Sequence, residues 1–168
     1  DFGIDSEAPL DESTADSTPG HPTRFWVDLG AGKAGWEQFD DLGGDFCRFN
    51  DELDGVRSRY HYMSAFLDRD RRIGDFDSIV KYDDLTGERQ VWTAGPTGHV
   101  GETVFAPDPA GTAEDDGWLV NAVHDSATNR TDVCVLDARD VTAGPIARVH
   151  LPHRLPFGFH ANWFPADD

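Results

Sequence analysis

Three stretches of this chain repeat one pattern. Phe25 to Phe39 reads FWVDLGAGKAGWEQF, Ile79 to Trp92 reads IVKYDDLTGERQVW and Val133 to Val149 reads VCVLDARDVTAGPIARV. Each is an apolar run ending in Asp, a loop containing Gly and a second run, which is how a β-hairpin closed by turn residues is written. The marker aspartates Asp28, Asp83 and Asp137 lie 55 and 54 residues apart. A second series, DFCRFN, ETVFAP and FHANWF, places Asp45, Glu102 and His160 at spacings of 57 and 58. Between the two series YHYMSAFL and GWLVNAVHD supply further strands, so one period holds about four strands. No apolar stripe at helical spacing is sustained anywhere, and the chain reads as all-β.

Self-similarity at this period in an all-β chain is the signature of propeller blades, four-stranded sheets stacked radially about a channel. A blade cannot bury both faces without neighbours, and a ring needs at least four blades to close. This chain holds three at most. The expectation is therefore the C-terminal blades of a larger propeller whose ring is not closed within these 168 residues. Residues 1–23, with SEAPLDESTADSTPGHP, lack periodicity and read as a mobile acidic loop or insertion; residues 24–168 form the blades.

The chain carries 32 Asp and Glu against 14 Lys and Arg, a formal charge of −18, with lysine only at Lys33 and Lys81. Such a surface argues against nucleic acid and against electrostatic docking on anionic lipid. It suits a salt-rich setting, where screening shortens the Debye length to about 3 Å at 1 M, so a halophilic source is expected. Two cysteines, Cys47 and Cys134, each on an expected strand, argue for a reducing cytosol rather than a disulfide framework. No apolar run approaches a membrane span, and no signal peptide opens the chain, whose first residue is Asp rather than Met.

In a propeller the innermost strand of every blade lines the axis, so equivalent positions on successive blades converge although they are distant in sequence. Asp45, Glu102 and His160 are such positions. Two carboxylates and an imidazole at one channel suggest a metal site, in which imidazole ligates and carboxylates either ligate or orient the ligating ring. His160, flanked by Phe157, Phe159, Trp163 and Phe164, would point into the channel, with the aromatics keeping the site dry. The other histidines read as surface or strand residues: His21 in the loop, His61 and His124 on second strands, His99 in a Gly-rich loop, His150 and His153 around Pro152. Glu114 to Gly117, EDDG, reads as an acidic turn leading into a strand.

GETVFAP, AEDDGWLV, the run CVLDARDVTAGPIARVHLPHRLPFGFHANWFP and, more loosely, DFCRFN and YHYMSAF resemble the C-terminal third of the carotenoid cleavage oxygenase family, over roughly Arg24 to Pro165. LPHRLPFGFH followed by NW is the most specific part. The resemblance implies a seven-bladed propeller with Fe(II) on its axis, held by four histidines from four blades and backed by three glutamates. It makes His160 the last iron ligand and Glu102 a supporting glutamate, with the other three ligands on missing N-terminal blades. Asp45 falls where the family has Glu, Cys47 where it has Pro and Ala161 where it has Gly. The shorter Asp45 side chain withdraws its carboxylate by about 1.5 Å, more than a hydrogen bond tolerates unless a water bridges the gap.

The implied activity is that of a non-haem Fe(II) dioxygenase that splits a conjugated C=C bond of a carotenoid or apocarotenoid with O2. The substrate would be a hydrophobic polyene, with peripheral membrane contact as a route to extracting it and a cytoplasmic location. Three alternatives stay open: a stilbene-cleaving dioxygenase of the same family, a non-catalytic propeller that binds a partner at its channel end, and a calcium-dependent propeller hydrolase with Asp45 and Glu102 as direct ligands.

Overall fold

The computed structural model describes residues 20–68, 70–71 and 74–166. It consists of antiparallel strands in three groups. Strands β1 (Thr23–Asp28) and β2 (Lys33–Gln38) form a hairpin. Strands β3 (Gly44–Arg48), β4 (Tyr60–Ala65), β5 (Ser78–Asp83) and β6 (Glu88–Thr93) form a four-stranded sheet in chain order. In the third group β7 (Gly98–Val100) and β8 (Val104–Pro107) both pair with β9 (Gly117–Asp125), followed outward by β10 (Arg130–Asp137) and β11 (Pro145–His150). The sequence period thus corresponds to one meandering sheet, and β1–β2 forms a separate two-stranded sheet.

The marker aspartates do one job three times. Asp28, Asp83 and Asp137 each end a strand. Their Oδ1 atoms accept the N–H of Ala31, Leu85 and Arg139, each at 2.9 Å, so each carboxylate closes its own turn. In the middle hairpin Gly87 takes φ +74, which a side chain would resist, and its N–H reaches Asp83 O at 2.8 Å.

Packing explains why β5 reads as a continuous apolar run rather than an alternation. Ile79 faces a core shared with the third group, including Tyr62, Phe105, Leu119 and Leu136, while Val80 faces a second cluster with Met63, Ala65 and Tyr82. The middle sheet is covered on both faces, as a blade between two neighbours must be. Tyr62 stacks on Phe105 across the sheets with centroids 5.7 Å apart. The acidic turn stitches the same joint: Glu114 Oε1 accepts from the N–H groups of Arg59 (2.6 Å) and Tyr60 (2.8 Å), and Asp115 receives the buried Lys81 Nζ at 2.5 Å. Lys81 also donates to Arg139 O at 3.2 Å and sits 4.2 Å from the Tyr60 ring centre. One of the two lysines is therefore an internal bolt, not surface charge.

Most of the expected acidic loop lies outside the described residues, since description begins at Gly20. The part of it that is described is tied into the sheet region: Gly44 N donates to Gly20 O (2.9 Å), Phe39 N donates to Pro22 O (3.1 Å), and Thr23 opens β1.

Candidate functional site

The inner strands of the two sheets are both interrupted, each by a different local device. In β3 the register with β4 slips between Asp45 and Arg48, a bulge of one extra residue. Phe46 occupies the left-handed region there, with φ 57, an unusual conformation for a bulky side chain. The bulge leaves Asp45 exposed, its Oδ1 accepting the N–H of Phe46 at 2.7 Å. It also turns Arg48 inward.

In the third group the inner strand breaks between β7 and β8, at Gly101, Glu102 and Thr103. The buried side chain of Asn121, on β9, fills the gap. Its Nδ2 donates to Gly101 O (2.8 Å) and Thr103 Oγ1 (2.9 Å), while its Oδ1 accepts Gly101 N–H (3.1 Å). Ser64 Oγ adds a bond to Gly101 O at 2.6 Å. An amide side chain thus stands in for ladder bonds at Gly101, keeping both of its backbone polar groups bonded in the break. Glu102 is released from the ladder, and its side chain is only 4% exposed.

Across both interruptions runs residues 151–166, a strap without strand structure. Leu151 N bonds Thr131 O and Leu155 N bonds Thr131 Oγ1, both at 3.1 Å. The Phe157 ring stands edge-on to His99 and His124, 6.1 Å from each. The strap's far end is held by Glu102, whose Oε2 accepts the N–H of Ala161, and by Arg48. His160 lies between these pins. Its Nδ1 is 3.6 Å from Glu102 Oε2, and its ring meets Phe46 edge-on at 5.9 Å.

The three residues predicted from the period therefore line one cleft of about 1020 Å³. They do not all occupy strands. Asp45 lies on β3, Glu102 in the break between β7 and β8, and His160 on the strap. Glu102 and His160 are brought together. Among the described residues the carboxylate of Asp45 bonds only its own neighbour, Phe46. Among the described residues the expected dryness is not seen: the His160 ring is 77% exposed, and Phe157, Phe159, Trp163 and Phe164 are all exposed, Trp163 least at 46%.

Sequence reasoning missed two participants. Arg48 Nη1 donates to Glu102 Oε1 (3.3 Å) and Ala161 O (3.3 Å), and its Nη2 donates to Asn162 Oδ1 (2.9 Å) and Asp51 Oδ2 (3.0 Å). Their signal was present in DFCR and in the NW that follows His160, where each sits within three residues of a predicted site residue. His99, expected in a loop, lies on β7 directly opposite His124 on β9, with Nδ1 against the Asp75 carboxylate. No three His, Cys, Asp or Glu side chains among the described residues are gathered closely enough to hold a metal ion.

Known proteins match this chain over most of its length. The family profile of the Retinal pigment epithelial membrane protein matches residues 3–165. Apocarotenoid-15,15'-oxygenase from Synechocystis sp. is 30% identical, the alignment covering 95% of this chain and 33% of that protein. A carotenoid cleavage oxygenase from Mycobacterium tuberculosis is 34% identical over 84% of this chain and 28% of its own length. Lignostilbene-alpha,beta-dioxygenase isozyme III from Sphingomonas paucimobilis is 33% identical over 83% and 31%. The chain thus spans about a third of the length of these curated relatives. Among solved structures, cobalt-substituted Synechocystis ACO superposes with a TM-score of 0.82 at 31% identity, covering 88% of this chain and 31% of that one. With a profile matched from residue 3 to residue 165 and relatives of the same fold, this chain belongs to the Retinal pigment epithelial membrane protein family, that of the carotenoid cleavage oxygenases.

Proposed function

We propose that this chain supplies the C-terminal blades of a non-haem iron(II) dioxygenase that cleaves a conjugated C=C bond of a carotenoid or apocarotenoid with O2, its remaining blades coming from further sequence of the same protein. The observation that carries the reading is the strap: the imidazole of His160 is held over a buried carboxylate, Glu102, at the rim of two interrupted inner strands. That donor set fits one coordination position of a ferrous ion. Imidazole suits iron, and a carboxylate beside the second ring nitrogen is the usual support for a ligating histidine. His160 would ligate through Nε2, since Nδ1 is the atom nearest Glu102. When bound, iron would supply the activation of oxygen.

The chain's own residues do the holding. Glu102 fixes the strap through the Ala161 N–H, so the backbone just after the ring is anchored before any ion arrives. Phe46 packs on one edge of the imidazole and limits its tilt. The substrate would be a hydrophobic polyene, and delivery from a lipid phase to a cytoplasmic, peripherally bound protein belongs to the same proposal. No helix among the described residues is long and apolar enough to cross a membrane.

A second substrate class, a phenolic stilbene, is favoured by the similarity to the Sphingomonas paucimobilis dioxygenase. The test is iron content and turnover of the ring-complete protein with an apocarotenal and with a hydroxystilbene, for the natural sequence and for His160→Ala. Iron in the natural sequence, oxygen-dependent aldehyde from the apocarotenal, and loss of both in the variant are expected. Stilbene turnover alone moves the substrate assignment. Absence of iron and of turnover in the natural sequence leaves a binding module.

A further inference from the structure

Between Glu102 and the strap stands one guanidinium whose bonding pattern goes beyond a surface ion pair. The two terminal nitrogens of Arg48 carry four N–H groups, and four acceptors receive them: Glu102 Oε1, Ala161 O, Asn162 Oδ1 and Asp51 Oδ2, at 2.9 to 3.3 Å. Those acceptors belong to three separate parts of the chain: the break between β7 and β8, the strap, and the turn after β3. The Arg48 side chain is 17% exposed and the Glu102 side chain 4%. A planar fork can satisfy divergent acceptors at once, whereas an ammonium is a single point with three donors.

We infer that Arg48 is a positioning residue: by bridging buried Glu102 to the carbonyl of Ala161 and the side chain of Asn162, it sets where the strap crosses the cleft and hence where the His160 ring stands. Glu102 and Arg48 hold complementary groups of the same residue, the N–H and the carbonyl of Ala161, which lies next to His160. Held at both, that peptide segment cannot rotate without breaking a charged hydrogen bond. The β3 bulge is part of the device. The extra residue between Asp45 and Arg48 re-aims Arg48 toward the strap, and the unusual conformation of Phe46 is where the backbone absorbs that turn. The inference rests on the reading of His160 as a metal ligand.

The experiment uses the ring-complete protein substituted with Co(II), whose visible ligand-field bands report the geometry of the donors, together with metal affinity and melting temperature. Arg48→Met keeps the aliphatic stem and removes every donor. It should shift the cobalt bands and weaken metal binding by about 10- to 100-fold, the range for losing a group that orients a ligand. Arg48→Lys should recover part of both, and Asn162→Leu, which removes one anchor, should shift the bands less. Should Arg48→Met fail to fold, Arg48→Lys and Asn162→Leu still decide the matter. A lowered melting temperature with natural cobalt bands and natural affinity in all three overturns the assignment. His160→Ala serves as the reference: if it too leaves the cobalt bands unchanged, the ligand reading fails and this inference falls with it, whereas altered bands there and natural bands in the Arg48 variants reject the role of Arg48 alone.

Discussion

Asp45 and Glu102 stand at matching points of neighbouring sheets, 57 residues apart, and the molecule treats them differently. At Asp45 the inner strand bulges, the carboxylate is exposed, and it bonds the very next N–H. At Glu102 the inner strand breaks, Asn121 fills the break, and the carboxylate is buried with Arg48 on one oxygen and the strap on the other. The bulge exports a side chain; the break imports one. Equivalence in the period therefore says which cleft a residue lines, while the local strand irregularity and its partners, all more than fifty residues away for Glu102, decide whether it is buried and what it holds.

The strongest way to break this comparison is Glu102→Ala. Removing the carboxylate leaves the Ala161 N–H without its acceptor and takes one of four acceptors from Arg48, which keeps Ala161 O, Asn162 Oδ1 and Asp51 Oδ2. Stranding one partner of a buried pair outright costs about 3 to 5 kcal/mol; with Arg48 still paired, the expectation is about 1 to 3 kcal/mol in urea unfolding. Metal affinity of the ring-complete protein should fall by about 100-fold, because the strap loses its anchor beside His160. Glu102→Gln, which keeps an acceptor oxygen, should lose less of both. Equal, small losses for Glu102→Ala and Asp45→Ala would show that the two positions are equivalent after all.

A different pair of positions makes the opposite point and explains what the sequence could reveal. Asp28, Asp83 and Asp137 are equivalent in fact as well as in spacing, because each closes a turn with an N–H two or three residues ahead. Local turn chemistry leaves a mark that repeats, so hairpins, the four-strand period and strand β9 could be read from the residues alone. The plugged break could not. Asn121 lies in the middle of GWLVNAVHD, where it looks like an ordinary polar position on a strand, and nothing local says that its amide faces a gap in the neighbouring strand. For Arg48 the place was legible, three residues after Asp45 in DFCR, but the role was not: its partners at 161 and 162 are 113 and 114 residues away. Lys81 looked like one of two scarce surface lysines, and only its packing beside Asp115 and the Tyr60 ring shows it to be internal.

The turn aspartates give a middle-sized prediction. A bidentate contact from Arg59 holds the Asp83 carboxyl well below the usual carboxylate range, with the N–H groups of Leu85 and Thr86 adding to it. Arg139 does the same for Asp137. A carboxyl depressed by folding stabilises the native state above its unfolded value, about 3.9, and that stabilisation is lost as pH falls through the depressed value. Asp83→Asn should therefore destabilise by about 1 kcal/mol at pH 7, a size set by partly exposed partners. The gap to the natural sequence should narrow progressively as pH falls below about 3.9, where the unfolded carboxyl takes up a proton that the depressed native carboxyl resists. A gap that stays constant down to pH 2 would mean that the aspartate acts by shape alone.

The mildest change tests the opening contrast most directly. Asp45→Glu extends the carboxylate by about 1.5 Å into the cleft without altering charge. On this chain's own contacts the substitution removes one short bond, from the N–H of Phe46, at an exposed position, so stability should stay within about 0.5 kcal/mol. Metal affinity should likewise change by less than about 3-fold, against the 10- to 100-fold range of an orienting group. The reason is geometric: the bulge has already committed the Asp45 carboxylate to its own backbone, and the residue that the bulge delivers to the strap is Arg48. An increase in affinity of tenfold or more in Asp45→Glu would reverse this. It would mean that the short side chain is a weakened support for a second ligand, and that both interrupted strands, not one, hold the ion.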